Sequence, residues 1–83
     1  MNTPGTPQLF SSTDFYLVAF LMLKGMRLHK VEPRGEGRSI FYLEDQPNRR
    51  ELVEEYLQGE ALVNPLSYKE AIQRLKSFKH NAY

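Results

Sequence analysis

The feature that most constrains this chain is an uninterrupted apolar run from Phe15 to Leu23 in a protein of 83 residues. Lys24 is the only ionised side chain between Phe15 and Gly25, so a helix over this segment has no polar face. A helix that is apolar on every side is normally surrounded by protein. A domain of this size buries only about 60–65% of the surface of its unfolded chain. The chain must therefore place this helix at its centre or cover part of it with a partner.

The apolar run is too short to cross a membrane. Nine helical residues rise about 13–14 Å, whereas the hydrocarbon core is roughly 30 Å thick. No lysine or arginine precedes the run, and a signal peptide needs a basic segment there. We therefore expect no membrane association and a cytoplasmic location. The chain has no cysteine, which fits a reducing compartment and excludes disulfides and thiolate metal sites.

The first ten residues differ in composition from the rest of the chain. Residues 1–10 (MNTPGTPQLF) are rich in proline, glycine and threonine and show no periodicity. This composition predicts a flexible N-terminal arm, with Leu9 and Phe10 as candidates for attaching its end to the body. Residues 11–83 are then predicted to form a single domain.

The first helix is predicted to run from about Thr13 to Lys24. Several residues could cap its start: Ser11 with Asp14 fits a capping box, and Ser12 or Thr13 could serve equally well as the N-cap residue. Gly25 is expected to supply the left-handed residue that ends the helix.

A hairpin is predicted after the first helix. Two β-prone segments, Arg27–Glu32 and Arg38–Glu44, flank the turn-forming sequence PRGEG. The two glycines favour a loop of more than two residues. Apolar residues occupy both faces of the second strand, so one face is expected to pack on the first helix and the other beneath the C-terminal helices.

Two further helices complete the predicted fold. Asn48, followed by Glu51, indicates the start of the second helix, and Gly59 its end. The third helix begins either at Asn64 before proline or at Ser67 with a glutamate three residues later. The predicted element order is α-β-β-α-α. This is a small single α+β domain in which an antiparallel hairpin packs with three helices.

Four segments carry a resemblance to a known family. They are SSTDFYLVAFL with KG, SIFYLED, ELVEEY with GEALVNP, and LKS. Together they resemble a family of short bacterial and phage proteins that is known as a domain of unknown function. The resemblance spans about Ser11 to the C-terminus. No catalytic residues can be carried over from this family, so the resemblance implies a fold and gives no information about activity.

Charge is distributed unevenly, although the net charge is only +1. Residues 44–60 carry six acidic and two basic side chains, and residues 61–83 carry four basic and one acidic. On a helical projection, Tyr68, Ala71, Ile72, Leu75 and Phe78 form the core face of the third helix. Lys69 and Lys76 lie on one flank with Lys79 at its border, and these three lysines are called the basic stripe. Glu70 and Arg74 are expected to pair on the other flank.

No catalytic constellation is evident in the sequence. The chain lacks cysteine, and its histidines, His29 and His80, have no second metal ligand at a suitable spacing. The adjacent acids Glu44 and Asp45 could hold Mg²⁺ at a strand end. Adjacent acids before a proline are much more often a feature of the helix start, where negative charge meets the positive end of the helix dipole. We therefore expect no enzymatic activity and no cofactor.

Two functional hypotheses remain. In the first, the basic stripe, extended by Arg34 and Arg38 of the hairpin, contacts the nucleic acid backbone weakly and without sequence specificity. The protein would then be an accessory factor of a phage or mobile element. The alternative for the stripe is a solvated helix face.

In the second hypothesis the protein is an interaction module: a small inhibitor or adaptor, such as an anti-defence protein, that acts on a larger protein. An exposed strip of the first helix with Leu17, Phe20 and Leu21 would form a protein interface, as a homodimer or with a partner. The acidic second helix would contribute recognition. The alternative is that the first helix is simply central.

Overall fold

The structure, a computed structural model, describes residues 8–81 and contains three strands and three helices. In chain order these are β1 (Leu9–Ser12), α1 (Phe15–Leu23), β2 (Leu28–Gly35), β3 (Arg38–Glu44), α2 (Arg49–Gln58) and α3 (Pro65–Asn81). The α+β class and the order of the five predicted elements are confirmed. The structure adds a short strand, β1, before them.

The added strand completes an antiparallel sheet with the strand order β1-β3-β2. Leu9 pairs with Glu44 and Phe10 with Leu43, so these two residues attach the end of the predicted arm to the body, and they do so as part of a strand. The central strand β3 has two edges of backbone donors and acceptors to satisfy, and β1 pairs with the edge that the hairpin leaves open. The Arg49 guanidinium lies 4.5 Å from the centre of the Phe10 ring. The remainder of the predicted arm, residues 1–7, lies outside the described residues.

The hairpin turn is tighter than predicted. Gly35 pairs with Arg38, which leaves Glu36 and Gly37 as a two-residue turn. Both turn residues have positive φ, +54° and +76°, the backbone geometry of the type I′ turn that favours tight hairpins. Pro33 is tolerated within β2 because this strand lies at the edge of the sheet, where a missing donor costs little.

The start of α1 corrects the predicted capping. Asp14 is the N-cap residue, and its carboxylate accepts a hydrogen bond from the Leu17 amide at 3.1 Å. Ser12 accepts a hydrogen bond from the Asp14 amide at 3.0 Å. The helix begins at Phe15 rather than Thr13 because Ser11 and Ser12 belong to β1.

The end of α1 is as predicted. Gly25 has a φ of +102°, in the region that favours glycine. The Gly25 amide donates to the Met22 carbonyl and the Met26 amide to the Leu21 carbonyl, both at 3.0 Å. These two bonds form a Schellman motif, which turns the chain sharply from α1 into β2.

The starts of the other two helices differ in their capping. The Asn64 side-chain oxygen accepts hydrogen bonds from the amides of Leu66 and Ser67, so α3 begins at the asparagine–proline pair rather than at Ser67. Asn48 precedes α2 as predicted, but its side chain makes no capping bond. Its oxygen instead accepts a hydrogen bond from the Gln46 side chain at 2.7 Å.

The core is organised around α1, which contacts α2, α3 and β1. Leu17, Phe20 and Leu21, the residues predicted as an exposed protein interface, are 6%, 2% and 0% exposed. That prediction is wrong, since elements on several sides cover the helix, and the interpretation of α1 as a central helix is confirmed. A homodimer built on this strip therefore has no exposed surface to use.

The two faces of β3 have different surroundings. Ser39, Phe41 and Leu43 are buried, and Phe41 and Leu43 belong to the core formed with the helices. Ile40 and Tyr42, on the opposite face, are half-buried and lie outside that core among residues 8–81. The prediction that C-terminal helices cover this second face is wrong. The Lys30 ammonium instead lies 4.8 Å from the centre of the Tyr42 ring.

Candidate nucleic-acid interface

Helix α3 separates an apolar face from a basic one. Ala71 and Leu75 are buried against the core, while Lys69 and Lys76 are exposed. The helical projection is therefore correct for these four residues. It is wrong for Phe78, whose side chain is 49% exposed because it lies at the end of the helix, beside the edge strand β2.

The predicted ion pair on the other flank of α3 is not formed. Glu70 and Arg74 are both exposed, and they do not pair in the part of the chain that the structure describes. Arg74 instead lines a shallow depression with residues that follow α1, among them Gly25 and Arg27. This arginine therefore lies on a different part of the surface from the basic stripe.

Lys79 joins α3 to the tip of the hairpin. Its ammonium donates a hydrogen bond to the Gly37 carbonyl at 3.0 Å, and the residue is half-buried. Gly37 directly precedes Arg38, and Arg34 lies on the paired strand beside the same turn. This contact therefore brings the end of the basic stripe to the turn whose flanking strands carry Arg34 and Arg38.

The combined positive area is called the α3–hairpin surface and comprises Lys69, Lys76, Lys79, Arg34 and Arg38. Four of these residues are exposed and Lys79 is half-buried. Glu36, in the turn itself, adds one opposing carboxylate. Because the three lysines of α3 and the two arginines beside the turn outnumber the Glu36 carboxylate, the local charge balance favours anions.

An open groove of about 480 Å³ borders this surface. Lys76, Lys79 and His80 of α3 line one part of it, and Phe15 and Tyr16 of α1 line the other. Phe15 is half-buried and its ring packs edge-on against Phe41 at 6.1 Å. Tyr16 is 55% exposed, so the groove presents an aromatic ring beside positive side chains.

The two sides of the groove are held together by Tyr68. Its hydroxyl donates a hydrogen bond to the backbone carbonyl of Tyr16 at 2.9 Å. The Tyr68 hydroxyl, whose pKa is raised further by burial, is protonated and able to donate at neutral pH. The bond uses the backbone of Tyr16, so the Tyr16 ring remains available to a ligand.

The sequence pattern does not distinguish the aromatic part of this groove, because Phe15 and Tyr16 belong to the apolar run that predicts a helix without a polar face. A signal was present: Tyr16 is the one residue of that run with a polar group, and amphipathic rings are favoured where one end is wet. A further aromatic residue, Tyr83, follows the basic stripe in the sequence and lies outside the described residues.

The acidic residues Glu44 and Asp45 lie where β3 ends and the segment that leads to α2 begins. Asp45 accepts hydrogen bonds from the Gln46 amide at 2.9 Å and from Arg49 Nε at 3.1 Å. The hydrogen bond from Arg49 lowers the pKa of the Asp45 carboxyl. Within residues 8–81, no group of three or more histidine, cysteine, aspartate and glutamate side chains is placed to hold a metal ion. The contacts of Asp45 with the Gln46 amide and Arg49 match the helix-start alternative for this residue.

The Asp45→Asn substitution is expected to lower the free energy of unfolding by about 0.5–1 kcal/mol at pH 7. A carboxyl whose pKa is lowered by folding contributes stability above its unfolded pKa of about 3.9, and this contribution disappears as the pH falls through the folded pKa. The difference between wild type and variant should therefore decrease as the pH falls below about 3.9. Urea unfolding at pH 7 and at successively lower pH values measures this decrease.

Glu54→Gln is a suitable control, because the Glu54 carboxylate lies 3.7 Å from Arg50 Nε and both side chains are mostly exposed. We expect a smaller loss at pH 7 for this variant. An Asp45→Asn loss that persists unchanged at low pH would contradict the assignment of the effect to the charged carboxylate.

No helix within residues 8–81 has both the length and the apolar content that a bilayer crossing requires.

The comparisons with curated proteins and with solved structures found no match. The family model described as "Domain of unknown function (DUF5659)" matches residues 7–80. This range covers nearly the whole chain, and the protein therefore belongs to that family.

Proposed function

We propose that the protein is a non-enzymatic binding module that contacts the nucleic acid backbone through the α3–hairpin surface. The hydrogen bond from Lys79 to the Gly37 carbonyl carries this proposal. It joins two basic segments that are 42 residues apart in sequence and would otherwise be separate weak charges. Phosphate contacts of this kind give affinity without sequence specificity.

The proposed setting follows from the family resemblance and the composition. The resemblance to short bacterial and phage proteins supports a role as an accessory factor of a phage or mobile element. The absence of cysteine supports action in the cytoplasm. The net charge of only +1 means that binding would come from the local surface rather than from the whole protein.

A salt titration tests the phosphate contacts. Each neutralised phosphate releases counterions, with a log–log slope of roughly −0.9 for duplex or −0.7 for single strands. Three to five contacts predict a total slope of about −2 to −4.5 and about micromolar affinity at low salt. Labelled oligonucleotides titrated at several salt concentrations measure both quantities.

The double variant Lys69→Glu with Lys76→Glu is expected to abolish this binding. Both lysines are exposed, so the fold should be unaffected. The matched control is Arg50→Glu with Arg74→Glu, which makes the same change in net charge at exposed positions outside the α3–hairpin surface. Equal loss in both variants, or no binding by the wild type at low salt, would reduce the basic stripe to a solvated helix face.

A contact with a basic protein surface through α2 is the second candidate. Glu51, Glu54, Glu55 and Glu60 are exposed. Leu57 and Leu62, on the same part of the chain, are 70% and 87% exposed, and exposed apolar groups within a charged rim are typical of protein contacts. This interpretation replaces the apolar-helix interface and takes precedence if the titration shows no nucleic acid binding.

A further inference from the structure

The groove beside the α3–hairpin surface has a composition that phosphate binding alone does not require. Phosphates need cations, whereas this groove also presents the Tyr16 ring, 55% exposed, and the edge of Phe15. The two rings are 5.3 Å apart and nearly perpendicular, at 83°. Phe15 packs on Phe41 in turn, so the Tyr16 ring stands on a rigid support rather than on a mobile loop.

The size of the groove fits a planar group. Its volume of about 480 Å³ lies within the range of roughly 300–1,000 Å³ that is typical of small-ligand pockets. Lys76 and Lys79 lie along its border. Lys79 uses one donor on the Gly37 carbonyl, and an ammonium group has three, so the same lysine can also donate to a phosphate.

An aromatic ring beside cations can distinguish single-stranded from double-stranded nucleic acid. In a duplex the faces of the bases are stacked on each other, and only the phosphates and groove edges are accessible to the protein. In a single strand an unpaired base can stack on an exposed aromatic ring while its flanking phosphates contact lysines. The α3–hairpin surface can contact the phosphates of either form, but Tyr16 can stack only on an unpaired base.

We propose that the groove binds single-stranded nucleic acid, with an unpaired base stacked on Tyr16 and its flanking phosphates on Lys76 and Lys79. The proposal rests on the proposed backbone-binding function and adds the class of nucleic acid that the surface selects. DNA and RNA share this chemistry, and parallel titrations with both distinguish them.

The test compares Tyr16→Leu with Tyr16→Phe. Leucine keeps an apolar side chain and removes the ring, while phenylalanine keeps the ring and removes only the hydroxyl. Loss of one base–aromatic stack weakens single-strand binding by about 5–150-fold, and we expect this loss for Tyr16→Leu alone. Duplex affinity and the salt slope for single strands should stay as in the wild type, because the phosphate contacts are unchanged.

The stack itself has a spectroscopic readout. A single-stranded oligonucleotide with one 2-aminopurine should lose fluorescence on binding to the wild type and to Tyr16→Phe, and should retain it with Tyr16→Leu. Circular dichroism of each variant confirms that the fold is intact, which we expect because the ring is exposed and Tyr68 bonds to the backbone of residue 16.

The possible outcomes separate this proposal from the function on which it rests. If the wild type binds both forms and Tyr16→Leu weakens them equally or not at all, base stacking is overturned and backbone binding stands. If the wild type binds duplex at least as well as single strands, the selectivity is overturned. If the wild type binds neither at low salt, both proposals fail together.

Discussion

The Leu21→Ala substitution is expected to lower the free energy of unfolding by about 2–5 kcal/mol. Leu21 is completely buried in α1, the helix that contacts α2, α3 and β1. Truncation leaves a cavity that these elements cannot all close. A domain of this length has about 4–12 kcal/mol of stability in total, so the variant loses a large fraction of it. Urea unfolding followed by circular dichroism measures the change.

Leu57→Ala is the matched control for this prediction. The same atoms are removed from a helix, but Leu57 is 70% exposed. The expected loss is about 0.5 kcal/mol or less, since alanine and leucine have similar helix propensities. Comparable losses at the two positions would mean that α1 is not the centre of the core.

The local sequence pattern predicts the helix α1 and its end, but not how completely other elements cover it. The apolar run predicted a helix without a polar face, and its end at Gly25 followed from the need for a left-handed residue. Whether Leu17, Phe20 and Leu21 would be exposed depended on how many elements surround the helix. That number comes from the tertiary arrangement, in which both other helices and a strand contact α1.

The strand β1 could not be predicted from its own residues. Its four residues, LFSS, include two serines that are equally typical of a helix start. The pairing partner of Phe10 is Leu43, more than thirty residues away. Since strand pairing depends on such distant partners, the local composition favoured an arm.

In the hairpin turn, the residue preferences and the strand pairing favour different loop lengths. A tight type I′ turn needs positive φ at both central residues, and the first of these is Glu36, with a φ of +54°. Glutamate rarely adopts this conformation, so the glycines on either side favoured a longer loop. Pairing of β2 with the central strand up to Gly35 fixes the shorter turn.

The candidate site was predictable only in part. The 3.6-residue periodicity placed Lys69 and Lys76 on the exposed flank of α3 and Leu75 in the core, as the structure has them. The groove required two contacts between distant residues, Tyr68 with Tyr16 and Lys79 with Gly37. Neither contact has a sequence signature, because each depends on how α3 crosses α1 and the hairpin.

The Leu75→Ala substitution is expected to cost about 2–5 kcal/mol in the free energy of unfolding. Leu75 is completely buried and, with Ala71, is one of two buried residues that hold α3 on the domain. Leu66→Ala, in the same helix, is the control, because Leu66 is 63% exposed and should cost about 0.5 kcal/mol or less. Urea unfolding measures the free energy of unfolding of both variants. Similar losses at Leu75 and Leu66 would contradict the proposed packing of α3.

The Leu75→Ala variant also distinguishes a loss of binding caused by unfolding from a loss of the binding contacts themselves. Leu75→Ala removes no charge from the α3–hairpin surface, so any loss of nucleic acid affinity should follow the unfolded fraction. An osmolyte such as trimethylamine N-oxide favours the compact state and should restore its binding, measured by titration near the unfolding midpoint. The Lys69→Glu, Lys76→Glu double variant is expected to stay folded and to lack the proposed phosphate contacts, so the osmolyte should not restore its binding. Binding by Leu75→Ala that stays lost after refolding would mean that Leu75 shapes the groove beyond holding α3 in place.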